Sequence, residues 1–317
     1  MAINLHLLRL FTAVVEHDGV VAAARALRIS QPAISRAVRE LETQLGVVLF
    51  DRSGRRAQLT PSGADIYAQA RGVYAAEHAV EDVVAGLKGL KRGTLRIAAS
   101  TTIATYVLPR LIAAFAREHP TIELELSAVH TRVVVDLVRR YTVDVALVEA
   151  PVADPEIVVT PWQKDEMVVI VGPRHHLAGR TDVSAGALSA ERFILREPES
   201  GTRSIILRAL QTAGVDVRRS MSVDGTEVIK QLVAEGLGIA VVSPVAVASD
   251  LAAGRLVTLP VRRLRVERTF NYLSLQRRRP SSLTQAFLEL LEVPGAPAHA
   301  PAKRLAKRAA KSVARRR

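Results

Sequence analysis

The sequence predicts a multidomain α+β protein, with an N-terminal winged helix-turn-helix, a long linker helix and a C-terminal α/β region. Three patterns carry this reading. Residues 20–63 hold two short helices and a small basic hairpin. Residues 61–87 place apolar side chains at alternating steps of four and three. From Thr94 onward, short apolar strands alternate with helices. At 317 residues the chain exceeds one small domain, and two or three are expected. It is 49% hydrophobic but only 4% aromatic, so its cores must be built from Val, Leu, Ile and Ala.

The helix-turn-helix rests on VAAARALR, a break at Ile29-Ser30, and SQPAISRAVRELETQLG. Ser30 is a good N-cap, because its hydroxyl can accept from a free N–H of the first turn. Pro32 lies where a missing N–H costs nothing. The small Ala22, Ala23 and Ala26 would let the first helix approach the second closely. Ala33, Ile34, Val38, Leu41 and Leu45 form the expected packing face. A second helix so placed enters the DNA major groove. Gln31, Ser35, Arg36 and Arg39 lie at its start and along one side. Gln can read adenine, Arg can read guanine, and Ser can contact base or phosphate. The following LFDRSGRRAQLTPSG reads as a hairpin wing, with Arg52, Arg55 and Arg56 placed to touch backbone or minor groove.

The stretch FTAVVEHDGVVAAARALRISQPAISRAVRELETQLGVVLFDRSGRRAQLTPSG resembles the LysR-type transcriptional regulators in order, spacing and wing. One departure is local. The family usually has a polar-aromatic-polar run after the glycine corresponding to Gly19, and here the run is Val20-Val21-Ala22. Capping of that helix then falls to Asp18 or Gly19. The resemblance implies a DNA-binding domain over residues 1–60, with Ser30, Gln31, Pro32, Ser35, Arg36, Arg39 and the three wing arginines as its contacts.

From Pro61 to about Leu87 a single long helix is expected. Ile66, Ala70, Val73, Glu77, Val80, Val84 and Leu87 follow a coiled-coil period with one charged intruder, Glu77. Three heptads fit either a dimer seam or a seam within a bundle. The family places a dimerising linker helix here. Gly86, Gly89 and Gly93, with Lys88, Lys91 and Arg92, read as a hinge, so residues 61–92 form the linker.

Beyond Thr94, TLRIAAS is a strand, IATYVLPRLIAAFAREHP one helix, IELELSAV a strand, TRVVVDLVRRY a helix and VDVALVEA a buried strand. This βαβαβ order implies a parallel sheet flanked by helices. MVVIVG, RFILREP, GIAVVS, LVTLPV and RTFNYLSLQ are further strands, and SSLTQAFLELLEV is the last helix. RGTLRIAAS, VDVALVEA, REPESGTR and EVIKQLVAEGLGIAVVSPVAV resemble the LysR-type effector module, and REPESGTR is of the kind seen in sulfur-assimilation and carbon-fixation regulators. The resemblance implies two α/β subdomains of periplasmic-binding-protein type over residues 93–293. Subdomain I would take 93–161 and 268–293, and subdomain II 162–267, with crossovers near Pro161–Lys164 and Arg262–Arg268.

Ser100, Thr101 and Thr102 end a strand and begin a helix, and Ser200, Gly201 and Thr202 do the same in the second subdomain. Free N–H groups and partial positive charge gather at such helix starts, which suits an anion. The family places its effector between the subdomains, with Val129-His130-Thr131 and Val242-Ser243-Pro244 nearby. Effector contacts are therefore expected from both Ser/Thr groups, His130, Thr131 and Ser243.

Enzyme readings are weak. There is no cysteine, no paired carboxylate motif, no nucleophile elbow and no phosphate-binding glycine loop. His175-His176 stand together without further metal ligands at fitting spacing, so neither metal nor cofactor is expected. No apolar run is long enough to span a bilayer and no secretory signal is legible, which points to the cytoplasm. The formal net charge of +13 is concentrated at the two ends. Residues 294–317 carry eight Lys and Arg and no acid, a basic disordered tail suited to a polyanion. The expected partners are double-stranded promoter DNA, a small-molecule co-inducer, a second or further copies of the chain as homodimer or homotetramer, and RNA polymerase. A solute-binding protein and a weakly specific architectural DNA binder are the competing readings.

Overall fold

The computed structural model describes residues 2–51, 58–87, 93–276, 278 and 280–292. The expectations for the wing tip (Arg52, Arg55, Arg56), the hinge at 88–92 and the tail at 294–317 fall outside these residues. The chain divides into two compact units, Met1–Glu81 and Asp82–Arg317.

The first unit contains α1 (Leu5–Glu16), α2 (Val20–Leu27), α3 (Gln31–Leu45), the two-residue strands β1 (Phe50–Asp51) and β2 (Gln58–Leu59), and most of α4 (Pro61–Leu87). Asn4 caps α1 by accepting from His6 N at 2.9 Å. Leu8, Phe11 and Val14 of α1 meet Ala23 of α2 and Ile34 and Leu41 of α3 in one core. The packing face differs in detail from the periodic expectation. Ala23 and Ala24 are buried in α2 while Ala22 and Ala26 are exposed, and Ala37 rather than Ala33 is buried in α3. The cause is where α2 stops. Arg28 takes a left-handed conformation, φ 55 and ψ 40, and turns the chain before α3. Gly19, with φ 140, starts α2 without a side-chain cap.

TPSG explains the join between wing and long helix. The Thr60 hydroxyl donates to Val48 O at 2.6 Å and accepts from Gly63 N at 3.0 Å, so it ties β2's end to the first turn of α4. Pro61 opens that turn, where its fixed φ suits the helix. A Cβ at residue 63 would lie 2.1 Å from Leu49 O, so only glycine fits. The coiled-coil pattern splits along α4. Ile66 and Ala70 pack into the core of the first unit, whereas Val73, Val80 and Val84 are exposed. Glu77 pairs with Arg9 of α1, and the Arg9 guanidinium lies over Tyr74. The charged intruder thus has a partner in its own chain.

The second unit runs β3 (Gly93–Ser100), α5 (Leu108–Glu118), β4 (Ile122–Val129), α6 (Thr131–Arg139), β5 (Val145–Val148), β6 (Ile157–Val171), β7 (Val183–Ser184), β8 (Arg192–Arg196), α7 (Gly201–Thr212), β9 (Arg219–Val223), α8 (Thr226–Ala234), β10 (Ala240–Val242), α9 (Pro244–Ala252), β11 (Val257–Leu259), β12 (Val261–Arg262), β13 (Val266–Leu275) and α10 (Ser282–Glu292). β3 pairs in parallel with both β4 and β5, as the βαβαβ order requires. β13 lies antiparallel between β5 and the fifteen-residue β6. β6 and β13 run side by side through both halves, and β10 and β11 flank the far end of β6. β8 and β9 form a parallel pair beside them.

Alternation along the strands sorts the cores. Leu95, Ile97 and Ala99 of β3 face Phe115 of α5 and Phe287 of α10, while Ala98 faces Val134 and Val138 of α6. Met167, Val169 and Val171 face the core with Phe193, Ile206 and Leu210, and Ile170 faces the one with Ile229 and Val247. Each such buried aliphatic or phenyl side chain contributes about 1.5–3 kcal/mol. One expected helix is two. Residues Ile103–Val107 form a π-helical turn before α5, because Pro109 supplies no N–H to continue the ladder from below. α9 and β9 were not legible as elements in the sequence.

Candidate DNA-reading helix and ligand cleft

Ser30 caps α3, its hydroxyl accepting from Ala33 N at 3.4 Å. Gln31, Pro32, Arg36 and Arg39 are exposed and Ser35 is half-buried. The opposite side of α3 holds Ile34, Ala37, Val38 and Leu41 in the core, which fixes the polar side outward. α3 therefore presents a rigid row of two arginines, a glutamine and a serine, the donors and acceptors that base edges require.

In the second unit, residues nominated from both halves converge around Asp165 of β6 and Arg268 of β13, which pair across the two strands. The Thr102 hydroxyl donates to Glu149 Oε1 at 3.4 Å, and the Thr202 hydroxyl donates to the same oxygen at 3.3 Å. Thr202 also accepts from Arg268 Nη1 at 2.7 Å. Arg268 Nε donates to Asp165 Oδ2 at 2.7 Å, and Ser243 donates to Asp165 Oδ1 at 2.7 Å. These hydroxyls are thus engaged with buried carboxylates rather than free, and Ser243 is the N-cap residue of α9. Ser100 is buried, and its hydroxyl has no partner among the described residues. Ser200 is buried without a side-chain cap bond at the start of α7, and Thr131 is half-buried. A Cβ on residue 201 would lie 2.2 Å from Ala150 Cβ, so glycine lets α7 start against the end of β5.

The charged groups that sequence reasoning missed dominate the floor. Glu149 follows the last residue of β5, and burial pushes its carboxyl above the ordinary value against the pull of Arg268, Arg196 and both threonines. Arg196 ends β8 and crosses to subdomain I, where Nη2 donates to Thr101 Oγ1 at 3.3 Å. Its neighbour Glu197 lies 3.5 Å from His130 Nδ1. A second crossing links the Tyr106 hydroxyl, which donates to Glu227 Oε1 at 2.6 Å, to Lys230 and Asp250. Burial pushes the Tyr106 phenol up, and the Glu227 hydrogen bond adds to it. REPESGTR and EVIKQLVAEG contain Arg196, Glu197, Glu227 and Lys230, but no local pattern pairs them. Only the fold brings them together.

A cavity of about 500 Å³ adjoins this floor, lined by Glu149 and Arg268 together with Ile205 and Arg208 of α7 and Thr269 and Asn271 of β13, and none of the nominated effector residues lines it. His175 and His176 stack with ring centroids 4.5 Å apart, and each Nε2 reaches Glu191, at 3.3 and 3.1 Å. Glu191 is the third group that spacing could not supply. The Leu177 N–H donates to His175 Nδ1 at 3.3 Å.

A family model described as the bacterial regulatory helix-turn-helix protein, LysR family, matches residues 5–64, and the LysR substrate-binding-domain model matches residues 88–293. The chain belongs to the LysR family. It is a LysR-type transcriptional regulator with a DNA-binding helix-turn-helix and an effector-binding domain. It is 35% identical over 299 residues to the RuBisCO operon transcriptional regulator of Allochromatium vinosum, covering 94% of this chain and 99% of that one. The regulatory domain of Synechocystis CcmR, solved in complex with 2-PG, is 32% identical and superposes with a TM-score of 0.59, covering 63% of this chain and 95% of that one. A full-length OxyR variant from Pseudomonas aeruginosa shares the fold at 22% identity and a TM-score of 0.76, over 93% of this chain and 97% of that one. LysR-type regulators bind DNA and small-molecule effectors and oligomerise. No helix among the described residues is long and apolar enough to cross a membrane.

Proposed function

We propose that this LysR-type regulator holds a small anionic metabolite between its two α/β subdomains, and that the ligand resets how paired DNA-binding units engage promoter DNA. The observation that carries the reading is convergence. Arg196 from one subdomain reaches Thr101 of the other at 3.3 Å, and Thr102 and Thr202 donate to the same Glu149 oxygen. His130 joins through Glu197 and Ser243 through Asp165, and Thr131 and Gly201, at the starts of α6 and α7, are assigned to the same site. A ligand bridging both sides favours the closed arrangement only by its greater affinity for it. The complex of CcmR with 2-PG supports an acid of similar size as the occupant.

The domain limits that go with this reading are 1–60 for DNA binding, 61–92 for the linker, 93–293 for effector binding and 294–317 for a cationic arm. Gln31, Ser35, Arg36 and Arg39 read bases, and Arg52, Arg55 and Arg56 meet backbone or minor groove. The exposed Val73, Val80 and Val84 of α4 form the seam of a homodimer, two of which assemble as a tetramer. The protein is not an enzyme, works in the cytoplasm and meets RNA polymerase at the promoter. Calorimetry with 2-PG and other small phosphorylated and carboxylated acids tests the cleft. At least one acid should bind wild type and lose affinity in Thr101→Val, and equal affinity in both proteins would move the site elsewhere.

A further inference from the structure

Two cations at the cleft floor are already paired within the protein. Arg268 is held by Asp165 and Glu149, with 1% of its side chain exposed. Lys230 is held by Glu227 and Asp250. An anion that draws on these cations must therefore take its countercharge from an internal carboxylate. Arg196 is the cation built for that exchange. Its Nε donates to Glu197 Oε2 at 2.7 Å and its Nη2 to Glu197 Oε1 at 2.6 Å. This is the two-pronged arrangement by which guanidinium takes a carboxylate or phosphate. The remaining donors hold the plane in place, Nη1 to Thr226 Oγ1 at 3.4 Å and Nη2 to Thr101 Oγ1 at 3.3 Å.

We propose that Glu197 is a built-in competitor for the effector. Its carboxylate occupies the Arg196 fork in the free protein, and an anionic ligand binds by displacing it. The exchange is local, because Glu197 is the next residue in the chain and leads directly into the Pro198–Ser200 loop. The displaced carboxylate has a second partner waiting, the His130 ring at 3.5 Å on the facing subdomain. A second feature marks the same place as a ligand site. The buried Ser100 hydroxyl, one residue from Thr101, has no partner among the described residues. Burial pushes the Glu197 carboxyl up, but the Arg196 hydrogen bonds and charge outweigh it and hold the group below its usual value. Glu197 is thus a competing anion throughout the neutral range. Its consequence is a threshold. In the free protein Glu197 offsets the Arg196 charge, and only a ligand that satisfies Arg196 better than a carboxylate, while also engaging hydroxyls, displaces it.

The inference rests on the cleft reading above, and the test separates the two. Binding of inorganic phosphate to the full-length protein is measured by equilibrium dialysis for wild type, Thr101→Val, Glu197→Gln, Glu197→Ala and the double variant Arg196→Met/Glu197→Gln. A charge-assisted pair removed from the free state should tighten phosphate about tenfold in both Glu197 variants. The double variant should lose that gain. Two Glu197 variants guard against a folding defect in one, checked by thermal melting. Phosphate binding no tighter in either Glu197 variant than in wild type would overturn the competitor role, and so would a gain that survives loss of Arg196. If Thr101→Val weakens phosphate while Glu197→Gln does not tighten it, only the competitor role falls. If every variant, Thr101→Val included, binds phosphate alike, the anion sits elsewhere and the cleft reading falls with it.

Discussion

Arg268→Met should be the most damaging conservative-volume change in the second unit. The guanidinium donates to Asp165 and to Thr202, each at 2.7 Å, and lies 3.5 Å from Glu149. The side chains of Arg268 and Asp165 are 1% and 0% exposed. Methionine would fill the space but leave Asp165 with only the Ser243 hydroxyl. Leaving one member of a buried ion pair alone costs about 3–5 kcal/mol. With a urea dependence of about 2–3 kcal/mol per M, the midpoint should fall by about 1–2.5 M. The assay is built in. Trp162, the single tryptophan, lies on β6 with its ring centroid 6.4 Å from that of Phe270, two residues along β13 from Arg268. Its fluorescence reports this unit alone. Adding Asp165→Asn should recover part of the loss, because the stranded charge goes with it. A drop below about 1 kcal/mol, the range of exposed pairs, would refute the claim that β6 and β13 are joined by a desolvated ion pair.

Other outcomes follow from the same geometry. Arg36→Ala should relax discrimination at one base position by about 1–3 kcal/mol in a binding-site selection, and an unchanged preference would remove Arg36 from the reading set. Val80→Asp places a charge at a position 64% exposed in one chain, so it should leave the fold intact and raise the dimer dissociation constant at least about tenfold by sedimentation. An unchanged assembly would move the seam off α4. Asp250 is pushed up by burial, but Lys230 and Arg255 outweigh this and hold it below its usual value. A folded value below the unfolded one stabilises above about pH 4 and is lost as pH falls through the folded value. Asp250→Asn should therefore be less stable at neutral pH and lose less on acidification; an equally steep acid limb would contradict this.

The elements that the sequence revealed are those with local causes. Ser30 and Pro32 mark the start of α3, Thr60, Pro61 and Gly63 mark the start of α4, and short apolar runs mark β3 and β5. Elements without such signals were missed. β9, RSMSV, has only Met221 and Val223 as apolar residues, and α9 follows Ser243-Pro244, which looks like a turn. The α4 period leaves a dimer seam and a bundle seam both open, because spacing does not tell which partner a face meets, and the core with α1 takes the first part of it. The cleft divides in the same way. Its hydroxyls announced themselves at helix starts. Glu149, Asp165, Arg196, Glu197 and Arg268 did not, because each finds its chemistry in a residue that only β6 and β13 bring near, or in a fork geometry invisible in the chain.

The most direct test of the account is nuclease protection of the chain's own promoter region, with and without an acid that binds in calorimetry. The full-length protein should protect a bounded, pseudo-palindromic site, and the acid should change the extent of that protection. Thr101→Val should protect the same bases yet no longer respond. Protection spread evenly over unrelated DNA, or a response to the acid that persists undiminished in Thr101→Val, would contradict it.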